Sequence, residues 1–118
     1  MSKNEQNQSS SSTSNSQSAV TVTTNGVTYR IPSDVTLQNA TKLSIVEDKP
    51  VMFDYWVPSL KKEALVGVRD TKEKLLVKSA EEYTSPISKF YRSLTEFIVI
   101  TENSIYIVSS DIPTRKIS

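Results

Sequence analysis

The chain contains no cysteine and no histidine in its 118 residues. Without cysteine there is no disulfide, no thiolate nucleophile and no thiolate metal ligand, so the fold must be held by packing alone. Without histidine the usual general base near neutral pH, the commonest metal ligand and the standard pH switch are also missing. Glycine is scarce, occurring only as Gly26 and Gly67. A phosphate-cradling loop needs several glycines, because backbone amides must converge without Cβ interference, so a P-loop and a dinucleotide fingerprint are both excluded. The expectation is a non-enzymatic protein with no cofactor, no metal site and no small-molecule substrate.

Charge of one sign is lacking too. Fourteen Lys and Arg stand against 13 Asp and Glu, which gives no global field for gathering nucleic acid or anionic membrane, so any such contact would use a local patch. No apolar run approaches the length that spans a bilayer, and Met1 to Gln8 has no apolar core of a secretory signal. A protein that is not secreted and has no membrane partner is expected. The sequons at Asn7 and Asn39 are then accidents of composition.

What is present begins with a polar tail. Residues 1–18 hold mostly Ser, Asn, Gln and Thr, with no aliphatic or aromatic side chain after Met1. Such a segment cannot bury enough apolar surface to offset the entropy of ordering it, which predicts a disordered tail ahead of a single domain over residues 19–118.

Period-2 alternation starts at Ala19. Val20 to Thr24 and Val27 to Ile31 flank Asn25-Gly26, the strongest short hairpin signal, because a type I′ turn needs positive φ at both central residues. Lys42 to Val46 reads as a short strand, and Val51 to Val57 as another, closed by Pro58. In the latter, Val51, Phe53, Tyr55 and Val57 share one face, expected to point inward, while Met52 and Trp56 share the other. That second face is expected either to be covered by another layer or to serve as a protein interface.

Ala64 to Val68 and Lys74 to Lys78 read as strands around a turn at Arg69 to Lys72, although the second could equally open a short helix. Ser85 to Arg92 reads as the one short helix, with Ser85 as N-cap, Pro86 in the first turn and Ile87, Phe90 and Tyr91 at helical spacing. Glu96 to Thr101 and Ser104 to Ser109 form a second hairpin, rich in β-branched and aromatic residues, whose first strand is apolar on both faces and therefore central. The remaining segment, 111–118, reads as a tail or edge. The expected fold class is mainly β, a sandwich or small barrel of antiparallel hairpins, with one short helix.

Few residues suggest chemistry. Ser59 and Lys62 match a Ser-x-x-Lys pattern, but the companion motifs of such enzymes are missing, and a solvated loop is the plainer reading. Glu47-Asp48 and Glu81-Glu82 are adjacent pairs that point apart, so neither forms a ready acid/base or metal site. The remaining constellation is basic and aromatic: Lys61, Lys62, Arg69, Lys72, Lys74 and Lys78, then Lys89, Tyr91 and Arg92. On a sheet, such residues can stack bases and neutralise phosphates. Glu63, Asp70, Glu73, Glu81 and Glu82 are interleaved with them, as on an ordinary mixed surface.

The stretches Asp54 to Leu60, Glu73 to Ser79, Glu82 to Ile87 and Thr101 to Val108 resemble small uncharacterised proteins of large nucleocytoplasmic (giant) DNA viruses, a likeness that covers residues 50–109. It carries no catalytic motif and transfers no site residue. It implies a viral protein located in the virion or the host cytoplasm, with a structural, assembly or genome-associated role. Two functions follow as expectations. The first is a self-associating module or virion component that docks through Met52 and Trp56. The alternative is nucleic-acid binding through residues 61–92.

Overall fold

The computed structural model describes residues 20–117. The tail expected over residues 1–18 lies outside the described residues.

The first unit is the expected hairpin, β1 (Val20–Thr24) and β2 (Val27–Ile31), in antiparallel register with Thr24 opposite Val27. Asn25 and Gly26 take φ of 54° and 78°, as a type I′ turn requires. The two strands form a sheet of their own, and residues 21–30 are exposed throughout.

Where a strand is expected at Lys42 to Val46, the chain instead forms the second half of a 14-residue helix, α1 (Asp34–Glu47). Its covered residues, Thr36, Leu37, Asn39, Ala40, Leu43, Ser44 and Glu47, follow helical spacing, but all except Leu37 and Leu43 are small or polar. Val35, Ile45 and Val46 meanwhile point to solvent, so the apolar residues show no helical period for a pattern reading to detect. Asp34 lies in the first turn, where the helix dipole favours an anion. Asp48 ends the helix in the left-handed conformation, φ 56°, with its amide bonded to the Ser44 carbonyl.

The expected long strand at Val51 to Val57 is also corrected. Only β3 (Val51–Met52) is extended; the chain then turns into a short helix, α2 (Trp56–Leu60). Pro58 is tolerated there because the first turn of a helix has no intrahelical partner for its amides.

β4 (Leu65–Val68) and β5 (Lys74–Ser79) pair as expected around a turn in which Lys72 has φ 76°. A two-residue β6 (Glu82–Tyr83) follows across a bulge. The expected helix at Ser85 to Arg92 is absent. Ile87–Ser93 is a strand, β7, paired along its length with β8 (Glu96–Thr101). A helix there would bury three side chains, whereas the strand completes a ladder on β8, so tertiary pairing overrides local spacing. The β8 hairpin with β9 (Ile105–Ser109) forms as expected, and β8 is central. Finally, β10 (Thr114–Lys116) lies parallel to β4 as an edge strand.

The result is a mainly β fold in three layers. One four-stranded sheet has the order β3-β9-β8-β7, the other β10-β4-β5-β6. Not every pairing is antiparallel: β3 on β9 and β10 on β4 are parallel. Between the sheets lie Tyr55, Ala64, Val66, Leu76, Val99, Val108 and Ile112. The opposite face of the first sheet, Ile98, Ile100, Ile105 and Ile107, is covered by Ala40 of α1 and Trp56 of α2. Fully burying such side chains stabilises the fold by about 1.5–3 kcal/mol each, which makes β8 and β9, apolar on both faces, its centre.

Candidate functional site

A joint surface of Met52 and Trp56 is not what the fold presents. Trp56 is only 4% exposed and packs into the layer between the helices and the first sheet. Because the chain bends into α2 after β3, the period-2 relationship between positions 52 and 56 is broken. Tyr55 and Trp56 both turn inward, each into a different layer, while Phe53 and Val57 point outward. Met52 remains 39% exposed.

The exposed apolar surface is therefore displaced rather than removed. Ile45 and Val46, in the last turn of α1, are 77% and 76% exposed, and Met52, Phe53 and Val57 follow them in the chain. A tight connection joins the two parts: the Lys49 amide bonds the Ser44 carbonyl, and the Ser44 hydroxyl donates to the Lys49 carbonyl. The β1–β2 hairpin is anchored beside this segment, since the Trp56 indole Nε1–H donates to the Arg30 carbonyl at 3.0 Å. The hairpin adds Val22, Val27 and Tyr29 to the exposed apolar set.

The cations and aromatics of residues 61–92 are divided among several environments. Lys61 and Lys62 lie exposed just after α2, with Lys62 in the left-handed conformation. Lys78 is engaged in the fold: its ammonium pairs with Glu82 at 3.2 Å, donates to the Asp54 carbonyl and lies 4.6 Å from the centroid of the Tyr55 ring. Lys89 pairs with Glu47 of α1 at 3.1 Å, and this hydrogen bond raises the pKa of its ammonium. Tyr91 is on the helix side of β7, lining with Lys42 and Leu43 a groove of about 300 Å³ between α1 and the first sheet.

Arg92 and Phe90 are on the other side of β7, toward the second sheet. The Arg92 guanidinium is 5.8 Å from the Phe97 ring centroid, and Phe90 meets Phe97 edge to face at 5.6 Å. These rings, with Val66, Lys74, Ile112 and Thr114, line a cleft of about 260 Å³ at an open end of the sandwich. Thr114 also borders a second hollow, formed by Arg69, Asp70 and Lys72 of the β4–β5 turn with Arg115 and Lys116 of β10. Arg115 and Lys116 escaped sequence reasoning because β10 joins β4 from 48 positions away, and no local pattern signals that pairing.

One buried polar cluster stands apart. Glu96 is fully buried, and its carboxylate accepts from Ser33 at 2.9 Å, Thr36 at 2.5 Å and Thr95 at 3.3 Å. Ser93 completes the group through the Thr36 hydroxyl, at 2.9 Å. Three hydroxyls, those of Ser33, Thr36 and Thr95, donate directly to the carboxyl oxygens. The cluster fastens the start of α1 to the β7–β8 turn. Ser59 is a fastener of the same kind: it donates to the Trp56 carbonyl and accepts the Ser109 amide at 2.9 Å, tying α2 to β9. Ser59 is thus buried within α2 rather than lying in the solvated loop expected for it.

Among the described residues no three Asp or Glu side chains converge as a metal site would require, and no helix is long and apolar enough to cross a membrane. Compared with protein-family models, with curated proteins and with solved structures, the chain matches none of them.

Proposed function

We propose that this domain is a non-enzymatic assembly module that associates with further copies of itself. The observation that carries this reading is the run of outward apolar side chains over residues 45–57, with Ile45 and Val46 more than three-quarters exposed. Exposed apolar residues scattered singly are normal, but five within thirteen positions, beside a projecting apolar hairpin, describe a contact surface. The likeness of residues 50–109 to proteins of large DNA viruses supports an assembly of virion kind, with other particle proteins as further partners.

Light scattering of the intact chain over a range of concentrations tests this. The expected result is a dimer or larger species that dissociates on dilution. Val46→Asp and Phe53→Asp alter side chains that touch solvent in the single chain, so they should leave thermal stability nearly unchanged. Each should weaken association roughly 30-fold, the equivalent of about 2 kcal/mol for a residue at the centre of an interface. A mass equal to one chain at every concentration would overturn the reading.

A further inference from the structure

We infer that the open end of the sandwich is a binding site for single-stranded nucleic acid, with bases stacked on Phe90 in the cleft between the sheets and phosphates held by Lys72, Lys74, Arg92 and Arg115.

The placement of charge is the first observation. Register puts Lys74 opposite Val68 and Thr114 opposite Val66, so Lys74 and Thr114 share the core-facing side of the second sheet. Arg92, opposite Phe97 on β7, lays its guanidinium 5.8 Å from the Phe97 ring that lines this cleft, with its Nε–H donating to the Leu94 carbonyl. Lys74 lines the cleft and Arg69, Lys72, Arg115 and Lys116 line the neighbouring hollow, with two carboxylates, Asp70 and Glu73, in the turn between β4 and β5. Those two are matched by Lys116 at 3.3 Å and Arg69 at 3.6 Å. Among the described residues, Lys72, Lys74, Arg92 and Arg115 then have no carboxylate partner. In a chain whose formal net charge is +1, this is a local excess of positive charge, and it calls for an anionic occupant.

The contrast within β5 sharpens the point. Lys74 and Lys78 lie on the same face of the strand, four positions apart. Lys78 is held by Glu82, the Asp54 carbonyl and the Tyr55 ring, whereas Lys74 stands at the edge of an apolar cleft and its neighbour Glu73 pairs with Arg69 instead.

The second observation is the ring at the opening. Phe90 is 37% exposed although it lies on the sandwich side of β7, and its edge-to-face contact with Phe97 leaves ring surface open toward the cleft. A flat apolar surface bordered by cations drawn from three strands and a turn fits a chain that alternates bases with phosphates. Stacking on such a ring is tolerant of sequence. An acidic peptide would satisfy the cations but not the ring.

Fluorescence anisotropy of a labelled oligothymidylate with the intact chain tests the site. Binding at low salt is expected, falling roughly 50-fold between 50 and 200 mM salt if four phosphates are neutralised on a single strand. Lys74→Glu with Arg92→Glu should weaken it at least tenfold. Lys72→Glu with Arg115→Glu, a pair of surface changes that cannot disturb the core, should flatten the salt response. Lys61→Glu with Lys62→Glu, which lines neither hollow, should change nothing. Phe90→Leu should weaken binding while leaving the salt slope intact. No binding at 50 mM salt, indifference to both charge-reversed pairs, or equal competition by oligoglutamate would each overturn the proposal.

Discussion

The indole nitrogen of Trp56 donates to the carbonyl oxygen of Arg30 at 3.0 Å. Among the described residues this is the one hydrogen bond that joins the β1–β2 hairpin to the rest of the fold, and it is made by a buried ring to an exposed strand. A two-stranded hairpin is marginal in water by itself, so its position depends on this link and on the half-buried Ile31 at its base.

Trp56→Phe keeps an aromatic ring in the core and removes the donor. Amide hydrogen exchange within residues 20–31 should then quicken about fivefold, the effect of one hydrogen bond worth roughly 1 kcal/mol. Protection in β8 and β9 should change little. Equal loss of protection in both regions would mean that the ring matters through packing alone.

Gly26→Ala meets no neighbouring atom, yet it places a side chain at φ 78°. The cost should be about 1 kcal/mol. Because the hairpin shares so little with the two four-stranded sheets, the loss should appear in its own amide protection and hardly at all in the main unfolding transition followed by circular dichroism.

Glu96→Ala should be far more damaging. It removes the acceptor on which Ser33 and Thr36 depend and opens a void under α1, costing about 2–4 kcal/mol by urea unfolding. Glu96→Gln retains an oxygen acceptor and should cost less than half as much.

Alkaline pH should loosen the fold through the tyrosines. Burial raises the Tyr55 hydroxyl from 10.0 to about 12, with Tyr106, Asp54 and Glu82 adding to the effect, and burial also raises Tyr106. An acid whose folded pKa is raised contributes stability that is complete below its unfolded pKa and is lost as pH climbs to the folded value. The melting temperature should therefore be flat with respect to these groups below pH 10 and decline between 10 and about 12. Tyr55→Phe should make that decline shallower.

Much of the β framework was legible in the sequence because it is local. The Asn25-Gly26 turn, the β4–β5 pair and the β8–β9 hairpin each join neighbouring segments with a period-2 pattern. What escaped was decided elsewhere in the chain. α1 hides because Thr36, Ala40 and Ser44 form its buried stripe while Ile45 and Val46 face out. Ile87, Phe90 and Tyr91 have helical spacing, yet β8 offers them a ladder. Alternation groups Trp56 with Met52 on a face to be either covered or used for docking; Trp56 is covered and Met52 is not, because a turn of helix follows two residues of strand. Of the basic residues singled out, Lys74 borders the cleft beside Phe90, Lys72 borders the neighbouring hollow, and Arg92 lies against the Phe97 ring. The others are divided among ion pairs and separate faces, and Arg115 enters only through a distant parallel pairing.

Those parallel pairings also bear on how the molecule forms. Each large sheet contains a hairpin whose strands are close in sequence, and each is closed at one edge by a short strand from far away. Val51 reaches Ile105 across 54 positions, and Thr114 reaches Val66 across 48. Hairpins assemble in microseconds, while contacts at such separations must first overcome the entropy of closing a long loop. A refolding chain thus spends an interval with β9 and β4 already paired on one side and bare on the other. During that interval their unpaired backbone groups are open to strands of other chains.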